Sequence, residues 1–231
     1  MKKIGLICLA VVLGLGAMGG ALAYWNETLT IAGSVATGEL DVEFSAQKSN
    51  DDGTQLDPSE CGTWTMSNLK DSTGWTWGTN RYAFDVGKTI CALVDADGNP
   101  AEGGSYNNGN EKMTITVTNA YPCYYAHVAF SIDNLGTIPA HIKSIQLTAL
   151  EPVHDGGLPI VLVAGIPREL DADGDGDKDL SLCLTTLAVS QNIAVGGALP
   201  GDLCIHVMDG ADEVDTYTFT IEIVCNQFNA P

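Results

Sequence analysis

Five carboxylates fall within nine residues in the run Asp171-Ala-Asp173-Gly-Asp175-Gly176-Asp177-Lys-Asp179. Packed that densely they repel one another, and a hard divalent cation with oxygen ligands relieves the repulsion. Asp171, Asp173 and Asp175 stand at loop positions one, three and five, a spacing that lets three side chains converge on Ca2+. Gly176 at position six permits a sharp turn, Asp177 offers a backbone carbonyl at seven, and Asp179 falls at nine. The pattern is incomplete. Leu182 stands at position twelve, where the full loop carries a bidentate Glu, and no helical periodicity flanks the run. Ca2+ is the expected ligand, and a solvated acidic turn is the competing reading. A shorter echo, Asp95-Ala-Asp97-Gly98-Asn99-Pro100, reads more simply as a tight turn.

Trp64, Trp75 and Trp77, followed by Tyr82 and Phe84, can stack on sugar rings if exposed or pack a loop onto a sheet if buried; packing is the expectation. No HExxH, GxSxG or phosphate-cradling Gly-Lys-Ser/Thr pattern occurs. His127, His141, His154 and His206 are scattered without metal-ligand spacing. A non-enzymatic role is therefore expected.

The elements that must position these residues read as strands. Met113 to Thr118 alternates M-T-I-T-V-T. Val128, Phe130 and Ile132 alternate in the next run, Ile142 to Ala149 follows, and Tyr217 to Val224 closes the chain. Pro159 to Ala164 is continuously apolar, which predicts a strand covered on both faces. Asn50 to Gly109 is rich in Gly, Asn, Asp, Ser and Trp and reads as a long insertion pinned by Cys61 and Cys91, with only Tyr82 to Val94 strand-like. Leu182 to Ala198 has room for a short helix. Polar turns at this spacing predict an all-β, jelly-roll-like sandwich.

Met1, Lys2 and Lys3 followed by uncharged Ile4 to Ala23 read as an export signal, with Ala21 and Ala23 at the −3 and −1 positions of a signal peptidase site. The same stretch is long enough to span a bilayer as a retained anchor; cleavage, leaving no stable membrane span, is the expected outcome. The organisation is then a signal over 1–23, an N-terminal arm over 24–46 and one sandwich domain over 47–231. In the arm, Leu29, Ile31, Val35, Leu40, Val42 and Phe44 supply the apolar positions of a strand that needs a sheet to join. A net charge of −19 argues against nucleic acid and anionic lipid partners. Of seven cysteines Cys8 lies in the signal. The other six, Cys61, Cys91, Cys123, Cys183, Cys204 and Cys225, predict up to three disulfides with fifteen full pairings open.

Three blocks carry a resemblance: Trp25 to Phe44, Asn119 to Ile142 with its Gly-Thr-Ile-Pro turn, and Tyr217 to Asn229. In this order they resemble the camelysin/TasA-like family, whose members leave the cell through a SipW-type signal peptidase. The resemblance implies a secreted jelly-roll subunit of surface fibres or biofilm matrix, a homo-oligomer in which the N-terminal strand of one subunit enters the next. The six cysteines, the Trp-rich insertion and the acidic loop depart from that pattern.

Overall fold

The structure is a computed structural model that describes residues 2–22, 38–95, 111–152, 157–212 and 215–227. The chain divides into two units, Met1–Thr37 and Gly38–Pro231. The first contains one helix, α1 (Lys2–Leu22), apolar after its opening lysines. Among the described residues no helix is long and apolar enough to cross a membrane.

In the second unit the strands run β1 (Val42–Ser49), β2 (Thr63–Thr65), β3 (Thr76–Gly78), β4 (Lys88–Val94), β5 (Lys112–Ala120), β6 (Tyr125–Asn134) and β7 (Ala140–Glu151). They continue with β8 (Ile160–Val161), β9 (Arg168–Leu170), β10 (Leu180–Leu184), β11 (Asn192–Ile193), β12 (Ala198–Val207) and β13 (Asp215–Gln227). Two antiparallel sheets result, ordered β1-β6-β12-β10-β9 and β11-β7-β13-β5-β4, with β8 also on β7 and β2–β3 as a separate ribbon. The chain changes sheet from β5 to β6, from β6 to β7 and from β12 to β13, giving the all-β, jelly-roll-like sandwich expected.

Alternation explains the core. Met113, Ile115 and Val117 of β5 are fully buried, as are Tyr217, Phe219 and Ile221 of β13 opposite. Thr114 and Thr116 point the other way and bond Thr220 and Thr218 at 3.1 and 3.2 Å, the polar cross-strand pairs of an outward face. In the first sheet Phe44 meets Phe130 edge-to-face at 5.4 Å. Gly201 makes that contact possible, because a Cβ there would lie 2.1 Å from the Phe130 ring. The turn Gly136-Thr-Ile-Pro139 joins β6 to β7 and lies against Glu39 and Asp41, whose carbonyls accept from Thr137 N and Leu135 N, each at 2.9 Å. Only glycine fits at 136, where a Cβ would stand 2.4 Å from Glu39 O.

Sheet one is unusual in being covered on its outer side as well. Its β6 is buried at every position from Ala126 to Asn134. Over that face lies the β2–β3 ribbon, with Trp64 opposite Trp77. Trp75, Ala46 and Ala129 form a second small core there, flanked by Trp64, Met66 and Trp77. The indoles therefore pack the insertion, as expected.

Several expectations are corrected. Of the six cysteines expected to form up to three disulfides, Cys61 and Cys204 are joined, while Cys91, Cys123, Cys183 and Cys225 are free thiols. The stretch read as insertion contains β4, which pairs with β5 and belongs to the sandwich. Pro159 to Ala164 is covered on one face only: Ile160 and Leu162 are buried, but Val161 and Val163 are about half exposed. No helix forms over Leu182 to Ala198; Ser190 N and Gln191 O instead bond Ile142 of β7 at 2.9 Å each. The boundary of the arm moves as well. Val42 and Phe44 belong to β1, paired with β6 of the same chain, and Leu40 is partly exposed just before it. Leu29, Ile31 and Val35 lie outside the described residues. The domain thus begins at Gly38, not at residue 47.

Truncating the ring that β1 brings to the core tests this boundary. Phe44→Ala should lower unfolding stability by about 3–5 kcal/mol, measured by urea titration, whereas Leu40→Ala should stay within about 1 kcal/mol of the parent.

Candidate metal centre

The acidic run forms the loop between β9 and β10, at the outer edge of sheet one. Its backbone is wound by its own side chains. Asp171 accepts from Gly174 N at 2.6 Å and Gly176 N at 3.1 Å, Asp173 from Asp175 N at 3.0 Å, and Asp175 from Asp177 N at 2.8 Å. Gly174 and Gly176 take φ of 84° and 103°, which side chains rarely adopt. The base of the loop is fixed to the sheet: Asp179 N donates to Leu170 O at 2.9 Å and Met208 N to Asp179 O at 2.7 Å.

This winding brings Asp171, Asp173 and Asp179 together, with a carboxylate oxygen of each within 4.8 Å of the others. Positions one, three and nine converge, not one, three and five. Asp175 and Asp177 are exposed and stand outside the group. Asp179 is wholly buried, and its Oδ2 accepts from Ala172 N at 2.5 Å and Asp173 N at 3.4 Å. Its Oδ1 is buried without a hydrogen-bond partner. A buried carboxylate oxygen with no donor is costly, and a cation held by the three carboxylates would satisfy it. Burial, then the charges of Asp173 and Asp171, push the Asp179 carboxyl up despite those backbone donors. The donor set is hard oxygen, suited to Ca2+.

A second acidic group comes together without any spacing signal: Asp51 after β1, Asp57 in the insertion and Asp85 before β4. Here donors already serve. Asp57 accepts from Val86 N and Gly87 N at 3.0 Å and from Tyr121 OH at 2.9 Å. Asp51 accepts from Gly53 N at 3.2 Å and Tyr124 OH at 2.9 Å. The pair ties the entry of the insertion to β4 and to the Tyr121–Tyr124 turn. Burial, reinforced by Asp57 and Asp85, raises the Asp51 carboxyl to about 6.

The third polar cluster lies under the tryptophans. Asp202 of β12 receives Trp64 Nε1 at 2.9 Å and Thr186 Oγ1 at 2.6 Å and contacts His127 Nε2 at 2.9 Å. His127 Nδ1 lies 3.0 Å from Cys61 O. Burial alone would raise the Asp202 carboxyl, but bonds from His127, Thr185, Thr186 and Trp64 outweigh it and hold the group well below the usual carboxylate range. His127 and Asp202 are each 2% exposed, and through Trp64 and Cys61 the pair fastens the insertion. Among the thiols, burial pushes Cys91 to about 12 and Cys225 to about 11, which keeps both protonated and unreactive.

Asp51 gives a pH dependence of known sign. With its folded value near 6 and its ordinary value at 3.8, the folded chain binds more protons than the unfolded chain between pH 4 and 6. Its contribution to stability therefore falls as pH rises through that window, by about 3 kcal/mol, and levels off above it. Urea unfolding at pH 4, 5, 6 and 7 should show this decline in the parent relative to Asp51→Asn, which removes the titrating group.

Comparison of the chain with protein-family models, curated proteins and solved structures finds no match.

Proposed function

We propose that the chain is an exported, non-enzymatic subunit of an extracellular filament or matrix, joined to its neighbours by an N-terminal strand and stabilised by Ca2+. The carrying observation is where the sandwich begins. The unit starts at Gly38, and its described core runs from Phe44 to Ile221 across both sheets. Upstream, Leu29, Ile31 and Val35 keep the alternation of a further strand, which would add to the sheet of a neighbour. Addition needs an open edge, where backbone groups give affinity and alternate side chains give register. Sheet one ends in the three-residue β9. Beside it the Val163–Ile166 turn, tied to β10 by Gly165 N to Leu184 O at 2.7 Å, leaves Val161, Val163 and Ile166 exposed.

The Cys61–Cys204 bridge fits an oxidising compartment, and the acidic composition fits a cation-rich surface layer. A signal peptidase would free the arm at Ala23, and the family resemblance points the same way. Ca2+ at Asp171, Asp173 and Asp179 would fix the β9–β10 loop beside that edge. The tryptophans do not favour a sugar-binding reading, since Trp75 is 2% exposed and Trp64 and Trp77 pack against it and His127.

Negative-stain microscopy of protein beginning at Tyr24 should show fibres, and protein beginning at Gly38 should remain folded and monomeric; fibres from the shorter form would refute strand donation. For the cation, Ca2+ at a hundredfold its Kd adds about 2.7 kcal/mol, raising Tm by roughly 5–10 °C in a chain of this size. Asp179→Asn should lose that rise and Asp175→Asn should keep it, with the reverse pattern ruling out the three-carboxylate centre.

A further inference from the structure

Three cysteines stand on one face of sheet one. Cys204 of β12 is bonded to Cys61 of the insertion, with Cα atoms 5.6 Å apart. Directly across the ladder from Cys204 stands Cys183 of β10, a free thiol. Opposed residues of an antiparallel pair project to the same face. Two residues on, Thr185 N donates to Asp202 O at 3.1 Å. By the two-residue alternation of the ladder, Cys183 and Cys204 are therefore also a hydrogen-bonded pair, with Cα atoms about 5.5 Å apart. That distance is within the range a disulfide spans. Cys204 thus has Cys183 directly opposite it on the ladder and Cys61 bonded to it from the insertion.

The two bridges differ in the chain they enclose. Cys61 is 143 residues from Cys204, whereas Cys183 follows β9 and precedes Cys204 by only the β10–β12 connection. In an unfolded chain, closing the shorter loop is favoured roughly twentyfold. We propose that Cys204 bonds first to Cys183 and then exchanges to Cys61 as the Trp-rich insertion docks, so that Cys183 is the transfer thiol for the long-range bridge.

The electrons and protons balance in two steps. A small-molecule disulfide oxidant takes two electrons from the Cys183 and Cys204 thiols, forms their S–S bond and leaves as two thiols. The Cys61 thiolate then attacks Cys204 Sγ, the Cys204–Cys183 bond breaks, and Cys183 departs as a thiolate that regains the proton Cys61 gave up. The second step has no net redox change. Docking drives it, because Cys61 is delivered by its own neighbours: Cys61 O sits on His127 Nδ1, and Trp64 bonds Asp202. Burial and the Asp202 charge push the Cys183 thiol up, so once displaced it stays protonated and does not attack the finished bridge.

The test follows reduced full-length chain refolding in oxidised and reduced glutathione, with samples alkylated over time and mapped after cleavage before Asp residues, which separates Cys183 from Cys204 at Asp202. The expected course is a Cys183–Cys204 peptide that rises early and declines as Cys61–Cys204 accumulates. Cys183→Ser should slow the long-range bridge about tenfold without changing the final product. Cys61→Ser should stop with Cys183 and Cys204 joined. If that variant aggregates, the parent time course decides alone. A parent that forms Cys61–Cys204 with no Cys183–Cys204 peptide at any time, or an unchanged rate in Cys183→Ser, would overturn the proposal.

Discussion

Burial of the Asp202 carboxylate is the constraint around which the molecule is arranged. A lone ionised carboxylate in that position would cost several kcal/mol, so the fold must deliver donors to it. They arrive from separate parts of the chain: Trp64 on the ribbon, His127 on β6 and Thr186 beyond β10. Each donor brings its own segment into place, and the Cys61–Cys204 bond lies two residues from the carboxylate on the same strand. The covered outer face of sheet one follows from this. Without the ribbon overhead, Ala46, Ala129, Ser131 and Asp133 would be the ordinary solvent face of a sandwich; with it they form a second interior.

The two acidic groups show how similar residues acquire different roles from backbone surroundings. Asp57 sits where Val86 N, Gly87 N and Tyr121 OH converge, so its charge is met by the protein. Asp179 receives amides on one oxygen only, and Asp171 and Asp173 each bring a carboxylate oxygen within 4.8 Å of one of its own. The first group is a clasp, whereas the second leaves the buried Asp179 Oδ1 without a donor. The second group adjoins β9, the shortest strand of sheet one.

Much of the fold was legible because it rests on a two-residue period: β5, β6, β7 and β13 coincide with runs that alternate plainly. The failures have physical causes. Pro159 to Ala164 is apolar throughout, and no local pattern says that its second face lacks cover. β4 lies within the run Tyr82 to Val94 that reads as strand-like, but its place in the sandwich was not legible because it is an edge strand with exposed Lys88, Ile90 and Ala92. Leu182 to Ala198 looked compatible with a helix, but pairing with β7 claims its backbone at Ser190 and Gln191. At the candidate centre the composition of the loop was readable and its ligand set was not. Asp175 is excluded since its carboxylate faces Asp177 N, and Asp179 enters because the strand ladder carries it inward. The Asp51–Asp57–Asp85 group and the His127–Asp202 pair depend on long-range contacts that spacing along the chain does not encode.

β1 gives the domain a mechanical character. It is an edge strand held to β6 from Val42 to Ser49, and just before it Glu39 and Asp41 are fastened to the Gly136 turn. A pull applied along β1 from its N-terminal end would load these bonds side by side and all at once, in shear, instead of peeling them one at a time. A subunit tethered through that end would resist tension with the whole seam, and Phe44 wedged against Phe130 would act as the detent that must yield before the strand slides.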